Sequence, residues 1–251
     1  MRERSQTPWL TNFKEKPDAR FTLFCFPYAG GNASMFRLWQ SELLREIQLA
    51  AVQPPGRGDR LSEPAFKHLH DMVQELGPAL LPFFNKPFAF FGHSMGALIL
   101  FELTRWLRRA EKPMPTHLYV SGRPAPQLPD DEPPNRDLPE PEFIARLQEL
   151  QGTPQEVLDH PELMQLMIPL LRADFSVCET YEYQDEAPLN CPITVFGGLG
   201  DIEVPRDELE PWRVQTTSAF SLKMLAGDHF FVHSAKTDLI RVINRDVASN
   251  L

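Results

Sequence analysis

One serine of this chain stands in a setting that suits nucleophilic catalysis. It is Ser94, the centre of the segment Gly92-His-Ser-Met-Gly96, which has the pattern G-x-S-x-G. Strand-compatible apolar residues precede the segment (88–91) and helix-compatible ones follow it (97–100). The two glycines permit a turn so tight that side chains there would collide, and the turn lifts the hydroxyl above the sheet edge. An ordinary Gly-Ser-Gly turn is the alternative, but the flanking strand and helix favour a nucleophile at a helix N-terminus, where negative charge is stabilised.

A serine hydroxyl reacts at neutral pH only with a base in reach, and two further residues could complete that chemistry. The base is usually a histidine whose second ring nitrogen is held by a carboxylate. Asp201 and His229 each follow a predicted strand in a glycine-containing loop. Such loops gather at the C-terminal edge of a parallel sheet, where Ser94 is also expected. The chain order Ser94, Asp201, His229 is that of α/β-hydrolases and predicts a catalytic triad.

Other acidic residues and histidines compete for these roles. Glu203 and Asp228 are the alternative acids, although Asp201 lies nearest the end of a strand. Asp228 is the neighbour of His229 and is badly placed to reach around its ring. His93, inside the elbow, is expected to point away from the serine proton and to be a packing residue. Four further histidines, which lie on predicted helices or at the ends of predicted elements, are expected to be solvated: His68, His70, His117 and His160.

No metal site is predicted. His233 follows His229 by four residues, but no glutamate lies between them as in the zinc motif H-E-x-x-H. Cys25, Cys178 and Cys191 are odd in number and widely spaced, without a C-x-x-C pair, so they are interpreted as reduced core thiols. The chemistry of the predicted triad needs no cofactor.

Acyl transfer also requires hydrogen-bond donors for the negative oxygen of the tetrahedral intermediate. The residue after the nucleophile, Met95, supplies one backbone N–H. The second donor is expected in the loop after the first strand, where Tyr28, Ala29 and Gly30 stand. Ala29 is the preferred donor, with Tyr28 as the neighbour most able to replace it.

Apolar, β-prone runs alternate with helix-compatible segments, which predicts a mostly parallel sheet covered by helices on both faces. The predicted strands are 21–26, 48–53, 88–91, 117–122, 191–196 and 220–225. Four helices are predicted around these strands: after Ser34, from 65 to 85, after Ser94, and from 235 to 248. Ser34 is expected to cap the first helix, and the second is expected to have an interruption or kink near Gly77-Pro78.

The alternation breaks between the fourth and fifth strands. A proline-rich stretch (123–141) leads there into three amphipathic segments (141–150, 154–160 and 161–183). The last segment carries a broad apolar stripe, which is more typical of a core than of a substrate pocket. A helical insertion at the C-terminal ends of a sheet is also how a lid is built.

Composition bounds the class of protein. The 251 residues, 42% hydrophobic and 24% charged, are ordinary for one soluble α/β domain covering 1–251. A net charge of −9 argues against general nucleic-acid binding, because phosphate neutralisation needs clustered Lys and Arg. No run is long enough to span a membrane, and the first ten residues lack the apolar region of a secretory signal. A cytoplasmic protein is therefore expected, with a monomer as the default.

Six sequence blocks together resemble the type II thioesterases, the stand-alone α/β-hydrolases that accompany nonribosomal peptide and polyketide synthases. The blocks are 26–31 (FPYAGG), 55–60 (PGRGDR), 92–96 (GHSMG), 121–126 (SGRPAP), 170–181 (LLRADFSVCETY) and 227–231 (GDHFF). They follow one another along nearly the whole chain. The resemblance implies hydrolysis of stalled or incorrect acyl groups from the phosphopantetheine thiol of an acyl or peptidyl carrier protein.

The resemblance also carries site residues over to this chain. It implies Ser94, Asp201 and His229 as the triad, Ala29 and Met95 as the oxyanion donors, and the insertion 123–188 as a mobile helical lid over the acyl pocket. Related thioesterase domains embedded in synthases place the acid after an earlier strand. Here the corresponding turn (121–124) reads SGRP and offers no acid, which favours Asp201.

Other functions compatible with these residues are kept as alternatives. Chain terminators of fatty acid synthases share the motifs, so release of a medium-chain fatty acid is the runner-up, and a general carboxylesterase would use the same triad on oxygen esters. An inactive interaction protein would be expected to have lost a triad member, and none is missing. Arg57, Arg60 and Arg123 are candidates for contacts with an acidic carrier protein, against the alternative that they are solvated loop residues.

Overall fold

Six parallel strands form one sheet in the computed structural model, which describes residues 7–11, 13–129, 133–150, 152 and 155–249. The strands are β1 (Phe21–Phe26), β2 (Ile47–Ala51), β3 (Phe88–His93), β4 (Leu118–Ser121), β5 (Ile193–Gly198) and β6 (Phe220–Leu225). Their order across the sheet is β2-β1-β3-β4-β5-β6. The prediction of a parallel α/β sheet is confirmed. The first six residues, part of the N-terminal segment used to argue against a signal, and 130–132 of the proline-rich stretch lie outside the described residues.

Alternate side chains of the central strands enter two separate cores, because successive residues of a strand point to opposite faces. On β1, Phe24 and Phe26 pack into the core that contains the helices of one face, whereas Phe21, Leu23 and Cys25 pack into the other. Both faces of the sheet are therefore covered. This explains why the strand reads as a continuous apolar run.

Eight α-helices connect or cover the described parts of these strands. They are α1 (Leu69–Leu80), α2 (Met95–Arg109), α3 (Glu140–Leu150), α4 (Gln155–Leu158), α5 (Pro161–Glu179), α6 (Arg206–Leu209), α7 (Phe231–Ser234) and α8 (Lys236–Ala248). Helices α1 and α2 contribute to the first core and α8 to the second. Of the interruption or kink predicted near Gly77-Pro78, the interruption is wrong, because α1 continues through Pro78 to Leu80.

The helix predicted after Ser34 is also wrong. Only a short 3-10 helix (Ala33–Phe36) forms there, and its cap is Asn32, whose side chain accepts the N–H of Ser34 at 2.9 Å. Turns follow it. Further on, the Gln40 side chain donates to the carbonyl of Ile47 at 3.1 Å and accepts the N–H of Leu49 at 2.9 Å. These bonds satisfy backbone groups at the start of β2 while the apolar residues of the segment still enter the core.

The predicted insertion emerges between β4 and β5 as helices α3, α4 and α5. It has an apolar cluster of its own, formed by Phe143, Leu147, Met164, Ile168 and Leu171. The stripe on α5 is divided: some of its residues pack in this cluster, whereas Leu163 and Leu166 are exposed. Among the helices that the structure describes, none has both the length and the apolar character needed to cross a bilayer.

His117, which was expected to be solvated, is instead largely enclosed at the start of β4. Its ring stacks on Tyr119 at 4.3 Å between centroids, and its Nε2 lies 2.9 Å from the hydroxyl of Thr194. Burial lowers the pKa of His117 from 6.5 to about 4, against a smaller opposing influence of Asp246. The expectation holds for His68, His70 and His160, which are exposed.

We expect His117→Gln to reduce the loss of stability in acid. The unfolded chain protonates His117 near pH 6.5, but the folded chain does so only near pH 4. The contribution of His117 to the free energy of unfolding is therefore fully present above pH 6.5. It is lost as the pH falls toward 4, and the loss amounts to about 3 kcal/mol. Urea unfolding at pH 7 and pH 4.5 measures this loss, with His70→Gln as the control. An unchanged difference between the two pH values in His117→Gln would contradict the assignment.

Candidate active site

The elbow around Ser94 is a strained turn between β3 and α2. Ser94 has φ 52° and ψ −113°, a conformation that L-residues rarely adopt, and its N–H donates to the carbonyl of Ser121 at 2.8 Å. A Cβ atom on Gly92 would lie 2.2 Å from the carbonyl oxygen of Gly96, and one on Gly96 would lie 2.2 Å from that of Phe26. Both glycines are therefore required by backbone crowding, as the sequence pattern predicted.

We expect Gly96→Ala to destabilise the fold strongly. The new methyl group would meet rigid backbone of β1 rather than a flexible side chain, so the destabilisation should be about 3 kcal/mol or more. Thermal unfolding measures it. Gly200→Ala is the matched control, because a Cβ atom there would come no closer than 3.3 Å to its nearest neighbour. Equal melting temperatures of the two variants would contradict this reading of the elbow.

Asp201 and His229 are in direct contact. The Nδ1 of His229 lies 2.9 Å from Oδ2 of Asp201, whose side chain is fully buried, whereas the histidine side chain is 14% exposed. The other carboxylate oxygen, Oδ1, accepts the backbone N–H groups of Glu203 and Val204 at 3.0 and 3.1 Å. Because a carboxylate can only accept, Nδ1 carries the proton and the lone pair of the ring is on Nε2.

The alternative acids are engaged elsewhere. Glu203 forms an ion pair with Arg146 of α3 at 2.7 Å, and Asp228 is exposed and accepts the N–H of Phe230 at 2.8 Å. Neither carboxylate is hydrogen-bonded to His229 in the described structure. This geometry favours Asp201 as the partner of the histidine.

Ser94 and His229 line the same cleft, which has a volume of about 1450 Å³. Among the hydrogen bonds of the described residues, none joins the two side chains; such contacts are often long before substrate binds. The inner wall comes from the ends of strands, and the opposite wall from the insertion, through Met167, Leu171 and Phe175. The insertion thus lies across the candidate active site. Part of the apolar stripe of α5 therefore forms a wall of the cleft.

The two oxyanion candidates follow the C-terminal ends of neighbouring strands, Ala29 in the loop after β1 and Met95 at the start of α2. The sheet register pairs Phe26 of β1 with Gly92 of β3, and Ala29 and Met95 each lie three residues further on. The N–H of Gly31 donates to the carbonyl of Tyr28 at 2.9 Å, closing the loop after β1. In a trans peptide the N–H is antiparallel to the C=O, so the N–H of Ala29 is turned away from this bond.

Two other histidines, His93 and His233, contact the ring of Tyr28 in the loop after β1. His93 is fully buried, with Nδ1 2.9 Å from the Ser121 hydroxyl and its ring 5.2 Å from that of His229. Burial, the first of several causes, holds the pKa of His93 well below 6.5. His233 lies on α7, where its Nε2 is 2.9 Å from the Tyr28 hydroxyl, and burial lowers its pKa. His93 is a packing residue, as predicted, and the Tyr28 contact of His233 was not anticipated.

Arg57 and Arg60 contradict both sequence-based interpretations, because they are neither solvated nor available to a partner protein. They are 3% and 4% exposed. Arg60 forms hydrogen bonds to Glu63 and to the carbonyl of Gln53, and Arg57 forms a bidentate ion pair with Asp174 at 2.7 Å for both bonds. Two of the six sequence blocks, 55–60 and 170–181, contain Arg57 and Asp174 respectively, but nothing in the sequence indicates that these two residues meet. Arg123, in contrast, is half-buried and lines the cleft.

None of the three cysteines, all in described parts of the chain, forms a disulfide. Cys25 and Cys191 are buried, and burial raises the pKa of both thiols, that of Cys191 to about 12. The described residues contain no cluster of three or more His, Cys, Asp or Glu side chains able to hold a metal ion.

A parallel sheet with a G-x-S-x-G elbow after β3 and a carboxylate–histidine contact between the loops after β5 and β6 defines the α/β-hydrolase class. The family model described as "Thioesterase domain" matches residues 21–247, and the chain belongs to the thioesterase family.

Relatives of known name share nearly the whole chain. The protein named "Linear gramicidin dehydrogenase LgrE" of Brevibacillus parabrevis is 45% identical over 250 residues, 98% of this chain and 95% of LgrE. "Gramicidin S biosynthesis protein GrsT" of Aneurinibacillus migulanus is 45% identical over 232 residues, covering 92% and 91%. The solved structure of YbtT, described as a type II thioesterase from the yersiniabactin NRPS/PKS biosynthetic pathway, is 30% identical and superposes with a TM-score of 0.82, covering 93% and 95%.

Proposed function

We propose that this protein is a type II thioesterase that removes stalled or aberrant acyl groups from carrier proteins of a nonribosomal peptide or polyketide synthase. The observation that carries the proposal is similarity over nearly the full chain to YbtT, a type II thioesterase of such a pathway, and to GrsT. The Asp201–His229 contact beside the elbow serine supports hydrolysis. The name of LgrE mentions a dehydrogenase, but this chain contains no G-x-G-x-x-G fingerprint for a nicotinamide dinucleotide.

In the proposed mechanism, Nε2 of His229 takes the proton of Ser94 as Oγ attacks the thioester carbonyl carbon. The N–H groups of Ala29 and Met95 donate to the resulting oxyanion. The C–S bond then breaks, and His229 gives the proton to the departing sulfur, which leaves as the pantetheine thiol. His229 next takes a proton from a water molecule as its oxygen attacks the acyl-serine carbonyl carbon, and it returns that proton to Oγ of Ser94 when the ester bond breaks and the free acid leaves. Asp201 holds the histidine tautomer, and no cofactor takes part.

We assign 1–251 to a single domain in which the helical insertion 123–188 is a lid over the acyl group. The partner is an acyl or peptidyl carrier protein whose phosphopantetheine arm enters the cleft past the insertion. We further propose a monomeric cytoplasmic protein. Gel filtration with light scattering tests the monomer.

Hydrolysis of an acyl series tests the function. Acetyl to dodecanoyl groups are presented both on the phosphopantetheine of a carrier protein and on free coenzyme A, and matched oxygen esters are assayed beside them. Editing predicts broad, slow activity with a preference for the carrier and for thioesters. A sharp optimum at eight to twelve carbons would instead indicate chain termination of fatty acid synthesis, and faster oxygen-ester hydrolysis would indicate a carboxylesterase.

A further inference from the structure

The buried ion pair between Arg57 and Asp174 joins two sequence-distant segments beside the candidate active site. Arg57 belongs to the loop after β2 and Asp174 to α5 of the insertion, 117 positions later. The guanidinium donates from Nη1 to Oδ2 and from Nη2 to Oδ1, each at 2.7 Å. The Asp174 side chain is fully buried and that of Arg57 is 4% exposed. Burying two charges is costly in free energy unless their polar atoms are all hydrogen-bonded. The other hydrogen-bond partners of the pair therefore show which part of the fold it supports.

Those partners are backbone groups of the loop after β1. Oδ2 of Asp174 also accepts the N–H of Gly30 at 2.7 Å, and Nη1 of Arg57 donates to the carbonyl of Gly31 at 3.1 Å. The pair therefore fixes the peptide groups on the C-terminal side of Ala29. The Gly31-to-Tyr28 bond closes the turn.

The same loop is restrained at neighbouring points by uncharged contacts. Gln53 accepts the N–H of Ala33 at 2.8 Å and donates to the carbonyl of Arg57 at 2.8 Å. A Cβ atom on Gly30, which has φ +76°, would lie 2.7 Å from Leu171 of α5. The loop is thus packed directly against the insertion. Among the described residues of the insertion, Asp174 alone gives the loop a charged hydrogen-bond acceptor.

We propose that Arg57 and Asp174 are a positioning pair for the oxyanion site: they orient the loop 28–31 so that the N–H of Ala29 faces the reacting carbonyl. The inference rests on the proposed function for its substrate. It also makes the second half of α5 a fixed support of the catalytic loop. Motion of the insertion, if it admits substrate, is then confined to parts that precede Asp174.

A covalent phosphonate probe tests the pair without a thioester. The Ser94 oxygen forms a bond to phosphorus, the P–F bond of a fluorophosphonate breaks, fluoride leaves and His229 takes the serine proton, while the phosphoryl oxygen needs the oxyanion donors. Intact-mass spectrometry gives the rate. We expect Asp174→Asn to react about 10- to 100-fold more slowly, and to lower kcat for thioesters with little change in KM. Arg57→Lys, which keeps the charge but loses the fork, should show a smaller loss.

A double variant separates positioning from stability. Replacing both charges, Arg57→Met with Asp174→Leu, removes the unpaired buried ion and should recover much of the melting temperature lost in Asp174→Asn. It should not recover the phosphonylation rate, because Gly30 has no acceptor. The control is Glu186→Gln, which removes one of the two acidic partners of the buried Arg105, the other being Glu102, at a place that does not line the cleft. It should lower the melting temperature alone.

The outcomes are decisive for either claim. A wild-type rate in any folded variant of the pair, rate recovery in the double variant, or an equal loss in Glu186→Gln would overturn the positioning role. Wild-type protein that reacts with the phosphonate but hydrolyses no thioester would instead refute the proposed function and leave the positioning role standing.

Discussion

Ser94→Ala is expected to abolish thioester turnover while leaving the fold intact. Removing the nucleophile of a serine triad lowers kcat by roughly 10⁴- to 10⁶-fold. The alanine keeps the Cβ atom and therefore the same strained backbone at φ 52°, and no hydrogen bond of the described structure uses the Ser94 hydroxyl. The melting temperature should therefore change little. Steady-state hydrolysis of an acyl carrier protein thioester measures the first effect and calorimetry the second.

Ser34→Ala is the matched control, because Ser34 also lines the cleft and is exposed. It should keep the turnover of the wild-type protein. If Ser94→Ala retained more than a tenth of that turnover, Ser94 would not be the nucleophile.

Asp201→Asn should lower kcat by about 10⁴-fold through the wrong histidine tautomer. Oδ1 of Asp201 accepts two backbone N–H groups, so the asparagine must keep its oxygen there and turn its NH₂ toward Nδ1 of His229. Nδ1 must then accept, which transfers the ring proton to Nε2 and removes the lone pair that would take the serine proton. The packing is almost unchanged, so stability should be nearly retained.

Glu203→Gln tests the competing acid beside it. The loss of its ion pair with Arg146 should leave kcat within a few-fold of the wild-type value. A loss as large as that in Asp201→Asn would assign the catalytic acid to Glu203 instead. NMR of the His229 ring nitrogens in both variants reports the tautomer directly.

The site residues that directly follow strands could be predicted from the sequence. Asp201 and His229 each come after a short apolar strand, and in a parallel sheet that alone brings their loops to one edge. The two elbow glycines could also be predicted, because the backbone of the elbow is so crowded that only glycine fits at these positions. These features depend on local patterns repeated along the chain.

Contacts that depend on packing across the insertion could not be predicted. Arg57 lies in a glycine- and proline-rich loop that is typical of solvated arginine, and only the placement of α5 reveals Asp174 as its partner. The helix predicted after Ser34 is wrong for a related reason. Its helical spacing of apolar residues is satisfied by turns that pack Phe36 and Trp39 together at 5.2 Å, without a continuous α-helix.

The division of the cleft into a sheet wall and an insertion wall has a consequence for engineering acyl preference. Backbone pairing between β1 and β3 fixes where the segments that carry Ala29 and Met95 begin, so redesign of the cleft side chains Met167 and Phe175 can reshape the acyl pocket without moving the oxyanion donors. Leu171 should be kept, because it packs against Gly30 of the catalytic loop. Grafts of a foreign insertion are more constrained. In such a chimera, the foreign insertion should end before Asp174. Asp174 and Arg57 then both come from the scaffold protein, and the catalytic loop keeps the hydrogen bonds that orient it.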